Sequence, residues 1–202
     1  MEKAEPKNIG SHVRVTVYAA SSRRAPETFL AAGRAIGQGL AERGHILVYG
    51  GASVGVMGAL ADGALASGGR VEGVILDKFS EVAHRGLHAL ETVSSMRARK
   101  AGLAELGDAF IALPGAFGTL EEVSEMLVER QLGVHQKPIL LLNIGGFWDT
   151  FLAFLDRQVA EQILSPENRA IPVACSDVQG IFSVLDSILS SGETSARGRR
   201  QI

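Results

Sequence analysis

Cysteine is almost missing from this chain, with Cys175 the single one among 202 residues. One thiol cannot form an intrachain disulfide, and it argues against a metal cluster held by cysteines. No apolar run is long enough to span a bilayer, and residues 1–12 lack the apolar centre of a signal peptide. These absences predict a protein of the reducing cytoplasm with no membrane partner.

The chain has no large excess of positive or negative charge. It contains 20 Lys and Arg and 22 Asp and Glu, which gives a formal net charge of -2. This small net charge predicts no general attraction to nucleic acid or anionic membranes, so any anion site must be local. The length and the hydrophobic share of 46% suit one domain with a sizeable core. The 24 glycines cluster where predicted strands end, which indicates tight turns.

Predicted strands and helices alternate along the chain, between a loose leader (1–12) and a disordered tail (190–202), so 13–189 is expected to form a single domain. The strands are continuous apolar runs, which is typical of a parallel sheet covered on both faces. The sequence therefore predicts an α/β, doubly wound parallel sheet that binds ligands at the carboxyl ends of its strands. Strands are predicted at 13–19, 46–49, 71–76, 91–93, 108–113, 139–143 and 170–174. Helices are predicted at 26–43, 59–67, 96–106, 123–132, 146–161 and 178–189.

The segment from Leu113 to Glu122 (LPGAFGTLEE) joins a predicted strand to a predicted helix. A helix start offers unpaired N–H groups and the positive end of the helix dipole, and nearby glycines let an anion approach the backbone. Glu121 and Glu122 are expected in the first turn, and acids beside a phosphate site suggest chemistry on an attached group such as a sugar. Adjacent helical residues point about 100° apart, so one glutamate is expected to act and the other to face solvent or the helix dipole.

A second glycine-rich loop, residues 50–58, follows the second predicted strand. It has no Walker lysine followed by Ser or Thr, and it departs from the dinucleotide-binding fingerprint. One interpretation is a phosphate-facing loop with the Ser53 hydroxyl as an extra donor. The other is a tight turn that needs glycine only for steric reasons. The spacing leaves both open.

Three cations, Arg97, Arg99 and Lys100, lie at a predicted helix start. One interpretation is a basic surface exposed to solvent. The other is that one of the two arginines binds a phosphate or orients a carboxylate. The high pKa of an arginine makes it a poor proton donor. His84 and His88 have the spacing of helical metal ligands, but the chain has no HExxH motif, and no metal site is predicted.

Taken together, these motifs resemble those of the LONELY GUY (LOG) family, phosphoribohydrolases that act on cytokinin riboside monophosphates. Many members of that family were once labelled lysine decarboxylases. Residues 114–122 resemble its PGGxGTxxE signature and 96–100 its MHxRK motif. Residues 48–58 resemble its YGGGxxGLMG loop and 19–22 its CGSS turn. Residues 81–87 and 131–138 also fit, so the resemblance spans about 13–189.

The resemblance implies a Rossmann-like homodimer with a site near the subunit interface. It implies hydrolysis of the N-glycosidic bond of AMP or an N6-modified AMP to free base and ribose 5-phosphate, without metal or other cofactor. Carried over by motif, Arg99 and Glu122 are the catalytic pair. The substrate-binding residues would be Ser21, Gly50, Gly51, Ser53, Gly55, Glu81, Lys100, Gly115, Ala116, Phe117, Gly118, Thr119, Leu120 and Glu121.

The chemistry of these residue types agrees with that activity. Cleavage of a ribosyl C–N bond develops an oxocarbenium-like centre. A carboxylate beside this centre can stabilise its charge and orient or deprotonate a water molecule. Backbone N–H groups that hold the phosphate would fix the sugar in position. Glu122 is expected to face the reacting carbon, and Arg99 to position the nucleotide and the glutamate.

The chain also departs from the family pattern. Arg97 stands where the family usually has His, and Ala116, like Ala20 and Ala52, replaces a glycine. A Cβ at position 116 would crowd a backbone–phosphate contact if φ were positive there. Val128 and Glu129 replace a Thr-Trp pair, which is expected to remove a polar contact near the base. The sequence therefore leaves the preferred base open.

Two other functions compete with hydrolysis. Related folds bind nucleotides or carry molybdenum cofactor without cleaving a substrate. A pyridoxal phosphate decarboxylase would need a lysine that forms a Schiff base, for which Lys100 is the formal candidate. That assignment would give Arg99 and Glu122 no catalytic role.

Overall fold

The computed structural model describes residues 12–191, so the predicted leader up to residue 11 and the predicted tail from residue 192 lie outside the described residues. Seven strands form one sheet in the order β4-β3-β2-β1-β5-β6-β7, and every neighbouring pair is parallel. The chain moves outward from β1 in one direction and then from β5 in the other, which confirms the doubly wound prediction. The strands are β1 (Arg14–Tyr18), β2 (Ile46–Tyr49), β3 (Val71–Leu76), β4 (Ala89–Val93), β5 (Ala109–Ala112), β6 (Ile139–Leu142) and β7 (Pro172–Cys175).

Helices cover both faces of the sheet. Buried residues of α1, α2 and α7, such as Ile36, Leu60 and Phe182, form one core cluster with the sheet. Leu103 of α3 and Val123 of α4 belong to a second cluster on the opposite face. The α-helices are α1 (Glu27–Glu42), α2 (Gly55–Ala66), α3 (Met96–Leu106), α4 (Phe117–Gln131), α5 (Asp149–Ala160), α6 (Pro166–Arg169) and α7 (Val178–Ser191), with 3₁₀ helices at Asp77–Val82 and Ile144–Gly146. None of the helices within 12–191 has both the length and the apolar character needed to cross a membrane.

As their apolar runs predicted, β3, β5 and β6 are buried along their whole length, and β1 and β2 are buried at every position but the first. β3 is buried at every position, including Glu72, whose carboxylate accepts hydrogen bonds from Arg14 Nε at 3.1 Å and Arg70 Nε at 2.7 Å. These partners offset the cost of burying a charge. The edge strands β4 and β7 do not follow the prediction, because they are only partly covered and expose some of their residues.

The start of α4 corrects one prediction about the glutamates. The helix begins at Phe117, so Glu121 and Glu122 lie in its second turn and not in its first. Gly115 permits this early start, because a Cβ on it would lie 2.1 Å from the Thr119 hydroxyl oxygen, which folds back over the turn. The free N–H groups of the helix start are therefore one turn away from the acids, and an anion there would not meet them directly.

Other boundaries shift for local reasons. α5 begins at Asp149 and not at 146, because Gly145 and Gly146 adopt positive φ angles of 61° and 73° in the preceding turn. The short α6 was not predicted, although Ser165 accepts a hydrogen bond from the Asn168 N–H as an N-cap. α7 continues to Ser191, so the first two residues of the predicted tail are helical.

Candidate active site

The two predicted catalytic residues form an ion pair between α3 and α4. Arg99 Nη1 donates to Glu122 Oε1 at 2.9 Å, and Arg99 Nε donates to the Val74 carbonyl oxygen of β3 at 3.2 Å. Only 13% of the Arg99 side chain and 9% of the Glu122 side chain are exposed. The pair is therefore largely shielded from water, which strengthens its electrostatic interaction.

Burial controls the proton affinity of the Glu122 carboxyl. It raises the pKa of Glu122 above the ordinary value, while the charge and the hydrogen bond of Arg99 act in the opposite direction. A carboxylate of raised pKa is a stronger base than a solvated one. Glu122 can therefore act as a general base or stabilise a nearby positive charge, with Arg99 limiting its protonation.

A second contact between the same helices lies beside the first. Lys100 Nζ lies 2.8 Å from Glu121 Oε1 and 3.2 Å from Glu125 Oε2. The hydrogen bond that Lys100 donates to Glu121 is the largest cause that raises the pKa of Lys100. A Schiff-base lysine needs a lowered pKa, so this environment opposes the decarboxylase alternative. Glu125 was not singled out from the sequence, where it looks like one more exposed helical acid.

Tyr18 is a further neighbour that sequence reasoning missed. It is the last residue of β1, it is buried, and its ring stacks on Phe110 with centroids 6.0 Å apart. Burial, and next the charge of Glu122, raise the pKa of its phenol well above the ordinary value. The Tyr18 phenol therefore keeps its proton beside the Arg99–Glu122 pair. The one available signal was its place at the carboxyl end of a predicted strand.

The start of α4 is open to solvent at the same edge of the sheet. Phe117 is 90% exposed, and a Cβ on Gly118 would meet no atom within 4 Å. Ala116 has φ −99°, so the crowding expected for a positive φ does not arise. Thr119 and Gly115 pack against each other, while Leu120 is partly exposed. This first turn has room for an anion beside its N–H groups.

The glycines of the 50–58 loop have steric roles. Gly51 and Gly55 have φ angles of 77° and 62°, which favour glycine. A Cβ on Gly58 would lie 2.4 Å from the Ser53 carbonyl oxygen, and one on Gly55 would lie 2.6 Å from the carbonyl carbon of Ser21. Residues 50–54 thus form a tight turn that leads into α2, and the first turn of α2 packs against the exposed segment after β1. These contacts account for the glycines without a phosphate.

Ser53 and Glu81 lie where this loop meets the 3₁₀ helix after β3. The Ser53 N–H and hydroxyl both donate to the Val82 carbonyl oxygen, at 2.8 Å and 3.0 Å. The predicted donor is therefore engaged within the protein. Glu81 is exposed on the same 3₁₀ helix, and, like Ser21, it makes no hydrogen bond to Arg99 or Glu122 within the described part of the chain.

The two histidines considered as metal ligands have separate surroundings. His84 Nε2 lies 3.0 Å from Asp62 Oδ1, and its Nδ1 accepts from the Gly86 N–H. His88 Nδ1 accepts from the Val71 N–H at 3.2 Å. Within 12–191 no three His, Cys, Asp or Glu side chains are grouped so that they could hold a metal ion.

Sequence comparisons agree with the motifs. A family model described as possible lysine decarboxylase matches residues 57–185. The chain is 44% identical over 155 residues to a cytokinin riboside 5'-monophosphate phosphoribohydrolase of Rhodococcoides fascians, covering 75% of this chain and 78% of the relative. It is 38% identical over 182 residues to the phosphoribohydrolase LOG of Oryza sativa subsp. japonica, covering 89% and 75%.

Solved structures share the fold at lower identity. The molybdenum cofactor carrier protein of Chlamydomonas reinhardtii matches with a TM-score of 0.70 and 22% identity, over 90% of this chain and 99% of that one. The molybdenum cofactor binding protein of Rippkaea orientalis matches with a TM-score of 0.70 and 23% identity, over 89% and 98%. At this level of identity the similarity concerns the fold alone.

Proposed function

The chain belongs to the LOG family, and from that membership we propose that it is a phosphoribohydrolase. Its substrate is a nucleoside 5′-monophosphate, AMP or an N6-modified AMP such as a cytokinin riboside monophosphate, and its products are the free base and ribose 5-phosphate. The Rhodococcoides and rice relatives are named for this reaction on cytokinin riboside 5'-monophosphate. The observation that carries the proposal is the shielded Arg99–Glu122 pair beside the open start of α4.

The phosphate binds at the first turn of α4, where the N–H groups of Phe117, Gly118 and Thr119 precede the first bond within the helix, from Leu120 N to Ala116 O. Glu122 follows by about one turn, roughly 5 Å along the helix axis. This separation suits a ribose that reaches from its 5′-phosphate toward the carboxylate. Binding of the phosphate thus orients the anomeric carbon for reaction.

Hydrolysis breaks the bond between C1′ and the base nitrogen, whose electron pair leaves with the base. The Glu122 carboxylate stabilises the positive charge at C1′ and takes a proton from the attacking water. The water oxygen then forms the new bond to C1′. The base takes up a proton from solvent, and Glu122 returns to solvent the proton that it took from the water. A carboxylate in this role contributes about 10²–10⁴-fold in rate. Arg99 keeps Glu122 ionised and oriented.

The remaining predicted residues serve binding. Lys100 and Glu121 lie next to the catalytic pair. When the substrate binds, Lys100 gives up its contact with a carboxylate and binds the phosphate instead. Glu81 faces the base. The residues that line the site are Ser21, Gly50, Gly51, Ser53, Gly55, Gly115, Ala116, Phe117, Gly118, Thr119 and Leu120.

The protein works as a homodimer through the outer face of α4. The exposed apolar residues here are Phe117, Leu120 and Val128 of this helix and Leu132, which caps its end. Their spacing places them within one arc of about 120°. An exposed apolar stripe of this kind marks an interaction surface. Because Phe117 begins the helix beside the catalytic pair, a partner on this face comes close to the site. A cytoplasmic location suits the free, buried thiol of Cys175.

The test is release of free base from AMP and from N6-isopentenyladenosine monophosphate by the purified protein. Release of base with ribose 5-phosphate is the expected result. Tight nucleotide binding without release would instead favour a carrier of the same fold. The carrier alternative has less support, because the molybdenum cofactor proteins are 22–23% identical to this chain, whereas the named phosphoribohydrolases are 37–44% identical.

A further inference from the structure

Gly50 lies directly beneath the guanidinium of Arg99. This buried glycine follows the last residue of β2, at the carboxyl edge of the sheet. A Cβ built on it would lie 2.0 Å from Arg99 Nη2 and 2.4 Å from Met57 Cε. Any side chain at this position would therefore occupy volume that the guanidinium fills.

We propose that Gly50 is a positioning residue. Because it has no side chain, it leaves a space, here called the slot, that the Arg99 guanidinium fills when it reaches Glu122. This inference rests on the proposed hydrolysis. Gly50 lines the proposed site, but its effect on the reaction comes from the placement of Arg99 and not from contact with the nucleotide. Gly50 acts on the reaction through the arginine and does not touch the reacting atoms.

Three features fix the guanidinium in this slot. Nε donates to the Val74 carbonyl oxygen, Nη1 donates to Glu122, and Nη2 packs over Gly50. Because the guanidinium is planar, its three nitrogens cannot move independently. A methyl group that pushes Nη2 away must also disturb the bond to Glu122 or the bond to Val74.

The geometry separates this role from a general need for glycine. Gly50 does not have the positive φ of Gly51 or Gly55, so alanine is compatible with its backbone. Both atoms that an alanine would meet are ends of flexible side chains, which can move aside. At Gly55, by contrast, a Cβ would meet backbone atoms. Gly50→Ala is therefore expected to fold and to displace Arg99.

Kinetics of Gly50→Ala provide the first test. The expected result is a kcat for AMP lowered by roughly 100-fold, the cost of misplacing a catalytic group by about 1 Å, with KM changed less than about threefold. Gly180→Ala in α7 is the matched control, since its Cβ would meet neighbours only at 3.3 Å or beyond, and it should keep wild-type kcat. A raised KM with unchanged kcat would overturn the inference and indicate nucleotide contact.

Coupling to Arg99 provides the second test. In an Arg99→Ala background, Gly50→Ala should cause no further loss of kcat, whereas additive losses would contradict a role through Arg99. A carboxyl ¹³C NMR titration adds a readout that needs no turnover. Displacing Arg99 should raise the pKa of Glu122 in Gly50→Ala but not in Gly180→Ala.

The titration distinguishes failure of this inference from failure of the proposed function. A shifted Glu122 titration in a protein that releases no base would uphold the positioning role and reject hydrolysis. An unshifted titration in an active enzyme would reject the positioning role alone. Thermal unfolding of Gly50→Ala and Gly180→Ala would verify that both variants are folded at the assay temperature.

Discussion

Arg99 and Glu122 meet at 2.9 Å although 23 residues separate them along the chain. β5 lies between α3 and α4 in the chain, and both helices pack against the same face of the sheet. Lys100 and Glu121, the next residue on α3 and the preceding residue on α4, pair in the same way. The two helices thus form one shielded pair, Arg99–Glu122, and one more exposed pair, Lys100–Glu121. The shielded pair suits chemistry, and the exposed pair suits binding.

Replacing Glu122 by glutamine is expected to lower kcat for AMP at least 100-fold, because it removes, at nearly constant shape, the charge that the proposed mechanism places at C1′. Base release measured by chromatography under saturating substrate checks this. Glu167→Gln on the exposed α6 is the matched control and should keep wild-type kcat. Undiminished turnover in Glu122→Gln would show that another group performs the chemistry.

Replacing Arg99 by lysine keeps the positive charge but removes the planar fork. A single ammonium cannot reproduce both the contact to the Val74 carbonyl and the contact to Glu122 in their present geometry. We expect kcat to fall about 10- to 100-fold while the protein stays folded. Parallel assays of kcat and thermal unfolding check this, and a wild-type kcat would mean that charge alone suffices.

The central strands, the parallel doubly wound sheet and the positions of the two glycine-bearing loops at strand ends were predictable, because they depend on local sequence patterns. Apolar runs identified the central strands, and the glycine loops and the cations near Arg99 lie where the sequence placed them. The second-turn location of Glu122 was not predictable, since it depends on the fit of Thr119 against Gly115. Tyr18 looked like an ordinary strand residue, and the slot over Gly50 arises only when β2 and α3 meet.

Stability is expected to fall on acidification through His135. Burial, and then the charges of Lys137 and Arg130, lower the pKa of this histidine to about 4. Below its ordinary pKa of 6.5 the unfolded chain binds the proton that the folded protein excludes, so folding is progressively disfavoured from about pH 6.5 down to about pH 4.

A His135→Gln variant checks this prediction, because it cannot titrate in that range. Its Tm should decline less than that of the wild type between pH 7 and pH 4. Glu122 and Glu129 have raised pKa values and favour folding on acidification, so the difference between variant and wild type is the informative quantity. Equal slopes for the two proteins would contradict the assignment to His135.

Glu72 is expected to contribute to stability without contributing to catalysis. It is fully buried in β3 and bridges Arg14 and Arg70 toward the amino edge of the sheet, away from the proposed site. Glu72→Leu leaves the shielded Arg14 without its carboxylate partner and should cost about 3–5 kcal/mol of unfolding free energy. Urea denaturation checks this, with Arg70→Gln as the milder comparison because Arg70 is half exposed. A loss of activity in the remaining folded Glu72→Leu protein would contradict the separation from the site.

Leu132 tests the proposed dimer. It is 71% exposed at the end of the apolar stripe on α4, far from Glu122 along the helix. A charge buried at an interface without a partner opposes association, so Leu132→Glu should shift the mass measured by light scattering from dimer to monomer. Ala66→Glu adds the same charge at an exposed position of α2, on the opposite face of the sheet, and should leave the mass unchanged. A monomeric wild type would refute the dimer. A monomeric Leu132→Glu variant with wild-type kcat would show that each subunit contains a complete site, because its catalytic residues would then function without the partner.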